Sequence, residues 1–333
     1  MREVELCRED GTLNPDAVGW SRFPLHRCNL RGPWGRRKRW DFWCVTSKDV
    51  ALSITYANLD YLGIVAVSLL DFGTGALRER VAVLPCGAGM HQGERVGDVP
   101  IHSDRCGVRL AVEELAEGTR LRAEARLSRR ERLTAEVMVM RDAAHESVNV
   151  VIPWSERQFQ FTSKQNARPA SGSVRLGATT HLFSADTGAF GCLDFGRGIW
   201  PYTTAWNWAS ASGIQNGRCV GLQLGGKWTQ GTGLTENGIC LDGKVSKISE
   251  ELSFAYDRTD FQRPWRIQSP TTDRVNLDFR PFFLRAQKVE LLVARADLHL
   301  CFGTFSGSVV ADSGERIEIE ELVGWAEDFA ARW

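Results

Sequence analysis

The chain has 333 residues, 43% of them hydrophobic, and 41 Lys and Arg balance 41 Asp and Glu to a formal net charge of 0. That is ample for a buried core, and the balance leaves no global field to recruit nucleic acid or an anionic surface. The longest strongly apolar run, Leu62 to Phe72, falls short of the ~20 residues of a membrane helix, and Met1 to Arg8 alternates charged and apolar groups, so a cytoplasmic protein with no signal peptide and no membrane insertion is expected.

In the first half, Val50 to Tyr56, Leu62 to Leu70, Val108 to Val112, Arg120 to Leu127 and Leu133 to Met140 are strand-length and end at glycine or charged turns. Leu121, Ala123, Ala125 and Leu127 share one face of such a strand, with Arg122, Glu124 and Arg126 on the other, which is the pattern of a half-exposed antiparallel strand. Asp71 to Gly75 and Glu117 to Thr119 read as turns.

A boundary is expected near Phe161 to Gly172, where Ser, Asn, Pro and Gly accumulate, giving an N-terminal unit 1–165 and a C-terminal unit 166–333, each long enough for one closed β-barrel. The second half continues with Val174 to Leu176, Ala189 to Phe195, Arg218 to Leu224, Gly238 to Leu241, Val275 to Phe279, Val289 to Val293 and Ser308 to Ala311. Asp242–Gly243 and Ser313–Gly314 are hairpin signals. Trp325, Phe329 and Trp333, spaced by four, predict a short C-terminal helix. The expected class is mainly β, as two antiparallel barrels and a terminal helix.

Nine cysteines fall in no C-x-x-C pair, which fits reduced, mostly buried thiols. The six histidines form no metal-binding pattern, and phosphate-loop, dinucleotide and nucleophile-elbow motifs are missing, so neither metal nor cofactor is expected. The basic run Arg36 to Arg39 beside Trp34 and Trp40 reads as a charged loop, and nucleic acid is not an expected partner.

The unusual residues cluster from Leu193 to Gly238. A strand ending in Asp194 is expected to run into a turn at Gly196, Arg197 and Gly198. Trp200, Tyr202, Trp206 and Trp208 stand at even spacing, so an extended chain gathers them into an aromatic wall, either lining a ligand cavity or filling a barrel. Asp194, Arg197, Asn207, Lys227, Glu236 and Asn237 lie among residues that belong inside, where charges must be paired or used. Asp194 with Arg197 reads as an ion pair, and Glu236 either as a partner of Lys227 or Arg218 or as a desolvated acid suited to proton transfer. Lys164 and Glu327 are further candidates because they flank aromatic segments.

The segments LDFGRGIWPYTTAWNWASASG (193–213), TENGICLDGKVSKI (235–248), PWRI (Pro264 to Ile267) and FGTFSG (Phe302 to Gly307), with WDFWCVTS near the start and GWAEDFAARW at the end, resemble the bacterial family described as domain of unknown function 2804. More distantly, Trp206 and Trp208 followed by GLQL resemble the double-barrel, lipocalin-like carotenoid hydratases and tocopherol cyclase. What the resemblance implies is two lipocalin-like barrels packed together. In the hydratases an Asp typically stands between the paired aromatics. Here it is Asn207, which cannot protonate an alkene, so that role is not carried over.

The expectation is a cofactor-independent acid–base enzyme of hydratase, isomerase or cyclase type acting on a hydrophobic or polycyclic small molecule. Glu236 is the first candidate acid and Asp194 the second. Arg197 would orient the acid, Asn207 and Asn237 would hydrogen-bond the ligand, and Trp200, Tyr202, Trp206 and Trp208 would form the wall. A non-catalytic carrier of an apolar ligand, with every charge in the wall paired, is the alternative. A carbohydrate-active enzyme with two acids facing a groove is the third.

Overall fold

The computed structural model of the chain describes residues 2–290 and 295–333. Antiparallel pairing dominates and builds two large sheets. The main path of the first runs Ala76–Pro85, Leu62–Asp71, Val50–Asn58, Arg37–Thr46, Phe190–Ile199, Gln158–Leu176, Arg132–Met140, Gly118–Arg126, Val108–Leu115, Ile101–Arg105. The second runs Lys244–Ile248, Asn237–Leu241, Arg218–Gly226, Thr203–Gln215, Arg316–Arg332, Arg295–Val310, Val275–Glu290, Trp265–Gln268, Ser253–Ala255. The chain passes from one sheet to the other at Trp200–Tyr202, where Pro201 interrupts the extended backbone.

Side-chain alternation explains why each sheet curls into a near-barrel. Val65, Val67 and Leu69, Leu110, Leu121, Ala123 and Ala125, and Phe159 and Phe161 point inward from different strands of the first sheet into one apolar core. Ala209, Ala211, Leu222, Leu224, Leu277 and Phe279 do the same in the second. The charged faces remain outside, as Arg122, Glu124 and Arg126 show. The Asp242–Gly243 hairpin forms as expected, with φ of +48° and +78°.

Three expectations are corrected. No terminal helix exists: Arg316–Arg332 is a strand paired on both edges, and among the described residues the helical backbone consists of two short 3-10 turns, Pro15–Ala17 and Ala185–Thr187. Residues four apart share a face in a strand as well as in a helix, and the two neighbouring strands settle which one forms. Gly196 to Gly198 is not a turn but part of the Phe190–Ile199 strand, near its end. A Cβ at Gly196 would lie 2.2 Å from the Trp40 ring, so glycine is there for close packing. The Ser- and Asn-rich stretch from Phe161 lies within the Gln158–Leu176 strand, which absorbs it through a bulge between Gln165 and Arg168. The expected strand Val289 to Val293 lies outside the described residues from 291 onward.

Six of the nine cysteines are buried and none is in a disulfide. The basic run is structural: Arg37 and Arg39 share the buried carboxylate of Asp60, at 3.1 and 3.3 Å, and Lys38 is fully buried.

Candidate active site between the barrels

Each strand buries one face in its own barrel, so residues of the opposite parity meet where the two barrels touch. From the first come Phe42, Cys44, Cys192 and Leu70; from the second, Trp206, Trp208, Trp325, Phe302 and Leu300. The Phe42 and Trp208 rings meet edge to face at 5.7 Å, and Trp208 and Trp325 likewise at 5.3 Å. A second group joins Trp200, Trp228 and Ile152 to Trp40, Trp154, Trp206 and Trp333. The aromatic wall therefore stands between the barrels and not inside the second one.

Tyr202 stands apart from that wall. It is 50% exposed, with the Arg36 guanidinium 5.6 Å from its ring. Trp200, Trp206, Trp208 and Trp228 spend their indole N–H groups on Gln160, Glu327, Gln223 and Glu236 at 2.6–3.0 Å. Trp325 has a buried N–H with no partner among the described residues.

Embedded in this wall is a charged cluster. Lys164 faces Asp194 across neighbouring strands, with Nζ 2.7 Å from its carboxylate and 3.2 Å from that of Glu236, and it lies 4.4 Å from the centre of the Trp208 ring. Asp194 also accepts from the Thr162 hydroxyl at 3.2 Å. Burial alone would pull the Lys164 ammonium down, but the two carboxylates outweigh it and hold it up to about 12. Burial pushes Glu236 above the ordinary carboxylate range, with Lys164 and the Trp228 N–H pulling it back. Glu236 lies flat on Gly225, where a Cβ would meet its Oε1 at 2.1 Å.

Asp194 and Arg197, three apart on one strand, face opposite sides of the sheet. Arg197 points away from the wall and pairs with Asp41 at 2.9 Å. Neither Lys227 nor Arg218 reaches Glu236: Lys227 pairs with Asp328, and Arg218 with Asp242 and Glu315. The two asparagines are occupied within the second barrel. Asn207 donates to the Glu327 carbonyl at 3.1 Å and to Tyr256 at 3.2 Å; Asn237 accepts from the Gly225 N–H at 2.6 Å and donates to the Glu250 carbonyl at 3.1 Å.

Glu327 completes the cluster. It stands opposite Trp208 in the strand register and accepts from the Trp206 indole at 2.6 Å. Among the described residues no cation lies within ion-pair distance of it. Burial drives its carboxyl up to about 7; the Trp206 hydrogen bond and the more distant charge of Lys164 oppose the rise. Deep as it lies, Glu327 is not fully sealed, and neither are Phe42, Trp206 and Leu300, which share the boundary between the barrels. Lys164 and Glu327, which the sequence marked only by their aromatic flanks, are thus the centre of the cluster. Among the described residues no three His, Cys, Asp or Glu side chains are placed to hold a metal ion.

Solved structures similar in fold include kievitone hydratase from Nectria haematococca (9% identity, TM-score 0.49, covering 100% of this chain and 98% of that one). Others are an AttH-like protein from Nitrosomonas europaea (13%, 0.48, 88% and 92%) and CghA (12%, 0.43, 89% and 88%). No curated protein matches the sequence. The whole length, residues 1–333, matches the family model described as domain of unknown function 2804, and the chain belongs to that family.

Proposed function

We propose that the protein is an acid–base enzyme of lyase or isomerase type, turning over an apolar small molecule at the boundary between its barrels, with Glu327 as the group that gives and takes the proton. One observation carries this reading: Glu327 is the carboxyl of the cluster that no cation among the described residues neutralises, is not fully sealed at that boundary, and is held near neutrality, where a proton moves in either direction at low cost. Trp206 fixes its orientation. Trp206, Trp208 and Phe42 offer ring faces to a developing positive charge, and the unpartnered Trp325 N–H is free for a ligand oxygen. Lys164 with Asp194 and Glu236 supplies a fixed charge arrangement beside the reacting group and needs no rearrangement during turnover.

The saturation of Asp194 and Glu236 by Lys164 favours a second reading, a carrier that leaves its ligand unchanged. It also speaks against a glycosidase-like pair of free acids. Wild type and Glu327→Gln, each purified from the native host, separate the two readings. Small molecules retained in native mass spectrometry are extracted and compared by chromatography. Turnover at Glu327 predicts that the variant holds substrate and the wild type product. The same compound on both would make the protein a carrier.

A further inference from the structure

Most of the interior of the second barrel is apolar, from Ala209 and Ala211 to Leu224, Phe279 and Cys301. At one end the same inward faces turn polar. Asn207 stands opposite Asp328, and Asp328 opposite His299, on three neighbouring strands. Lys227 reaches in from just beyond Arg218–Gly226, and Tyr256 from just beyond Ser253–Ala255.

We propose that this barrel end is a second small-molecule site, separate from the boundary between the barrels, which receives a neutral, planar carbonyl compound with its oxygen on the Tyr256 hydroxyl. The Tyr256 oxygen accepts from Lys227 Nζ at 2.8 Å and from Asn207 Nδ2 at 3.2 Å. Asn207 Nδ2 divides its two hydrogens among Tyr256, the Glu327 carbonyl and Asp328, but the Lys227 ammonium can only donate, so the proton of the partly open Tyr256 hydroxyl must be offered elsewhere, and no described residue accepts it. Lys227 is neutralised by Asp328, and Asp297 lies 3.7 Å from His299. An anion therefore finds no surplus positive charge here, whereas a carbonyl acceptor meets a donor whose oxygen is already stabilised.

Flat aromatic rings surround this end. Tyr256 stacks on Trp265 at 4.1 Å and 18°, and His299 on Phe261 at 3.9 Å and 12°. Access follows from a gradient of exposure: Asn207 is sealed, while Lys227 and His299 remain partly open. Lys227 holds a left-handed backbone, φ +68°, unusual for a side chain of its size, and that turn is what carries its ammonium to Tyr256.

The test uses the full chain and dimethylaminochalcone, a planar aromatic ketone whose absorption moves to longer wavelength when its carbonyl accepts a hydrogen bond. Wild type is expected to shift the band on binding. Tyr256→Phe keeps the ring on Trp265 and removes the donor, so it should abolish the shift and weaken binding about tenfold, the value of one buried hydrogen bond. Glu327→Gln, at the boundary between the barrels, should leave both unchanged. Lys227→Met gives a second readout, a smaller shift with Tyr256 in place, should Tyr256→Phe fail to fold. A wild-type band that does not move, a shift that survives Tyr256→Phe, or one lost in Glu327→Gln overturns the proposal.

Discussion

Glu327 and Asp328 are neighbours in sequence with opposite destinations. A strand sends one to the boundary between the barrels and the other into the second barrel, where Lys227 neutralises it. For Glu327 the linkage is direct. Its carboxyl binds a proton more tightly folded, at about 7, than in the unfolded chain near 4.5, so the stability it lends is complete below pH 4.5 and is lost as pH rises through 7. Denaturant titrations of wild type and Glu327→Gln should run in parallel at low pH, and between pH 4.5 and 8 the wild type should lose about 3 kcal/mol relative to the variant. A constant difference across that range would show that Glu327 is solvated like any surface acid. Lys164→Met should lower unfolding stability by about 3 to 5 kcal/mol, because it leaves Asp194 and Glu236 buried without their cation. The types of residue involved were legible in the sequence, since charges among tryptophans must be partnered. The partners were not, because Lys164 meets Asp194 only through the register of strands 30 residues apart.

At the scale of the element, alternation read the strands well. Leu121, Ala123 and Ala125 are buried between exposed Arg122, Glu124 and Arg126, and both expected hairpins close where glycine follows a polar residue. It failed where a spacing served two geometries. Trp325 and Phe329 suit either a helix or a strand, and pairing with Thr203–Gln215 and Arg295–Val310, invisible locally, decided the matter. The even spacing of Trp200, Tyr202, Trp206 and Trp208 gave a shared face only from residue 203 onward, because the strand starts after Pro201. On the Arg218–Gly226 strand, Gly225 is the seat of Glu236. Gly225→Ala forces a methyl against a buried carboxylate and should cost about 2 kcal/mol in thermal unfolding, with Glu236 displaced from Lys164. A melting curve unchanged by this substitution would mean that the carboxylate moves freely.

Across the whole molecule, the barrels share a continuous aromatic boundary reinforced by the Arg285–Glu79 ion pair at 2.7 Å. Calorimetry should therefore show one unfolding transition. Trp208→Ala removes the side chain that touches Phe42, Trp325 and Lys164, and should lower stability by about 3 to 5 kcal/mol and separate the barrels into two transitions. Two transitions already in the wild type would mean that the boundary is weak.

The same boundary gives the molecule an optical signature. Trp200 has its ring within 6 Å of those of Trp40, Trp154, Trp206, Trp228 and Trp333. Indoles so close share their electronic excitation, producing paired bands of opposite sign in circular dichroism and rapid transfer of emission among them. Slipping the two halves apart would part Trp40 and Trp154 from Trp206, Trp228 and Trp333 and so alter that coupling while every strand stayed intact, and a spectrometer alone can watch them engage and part.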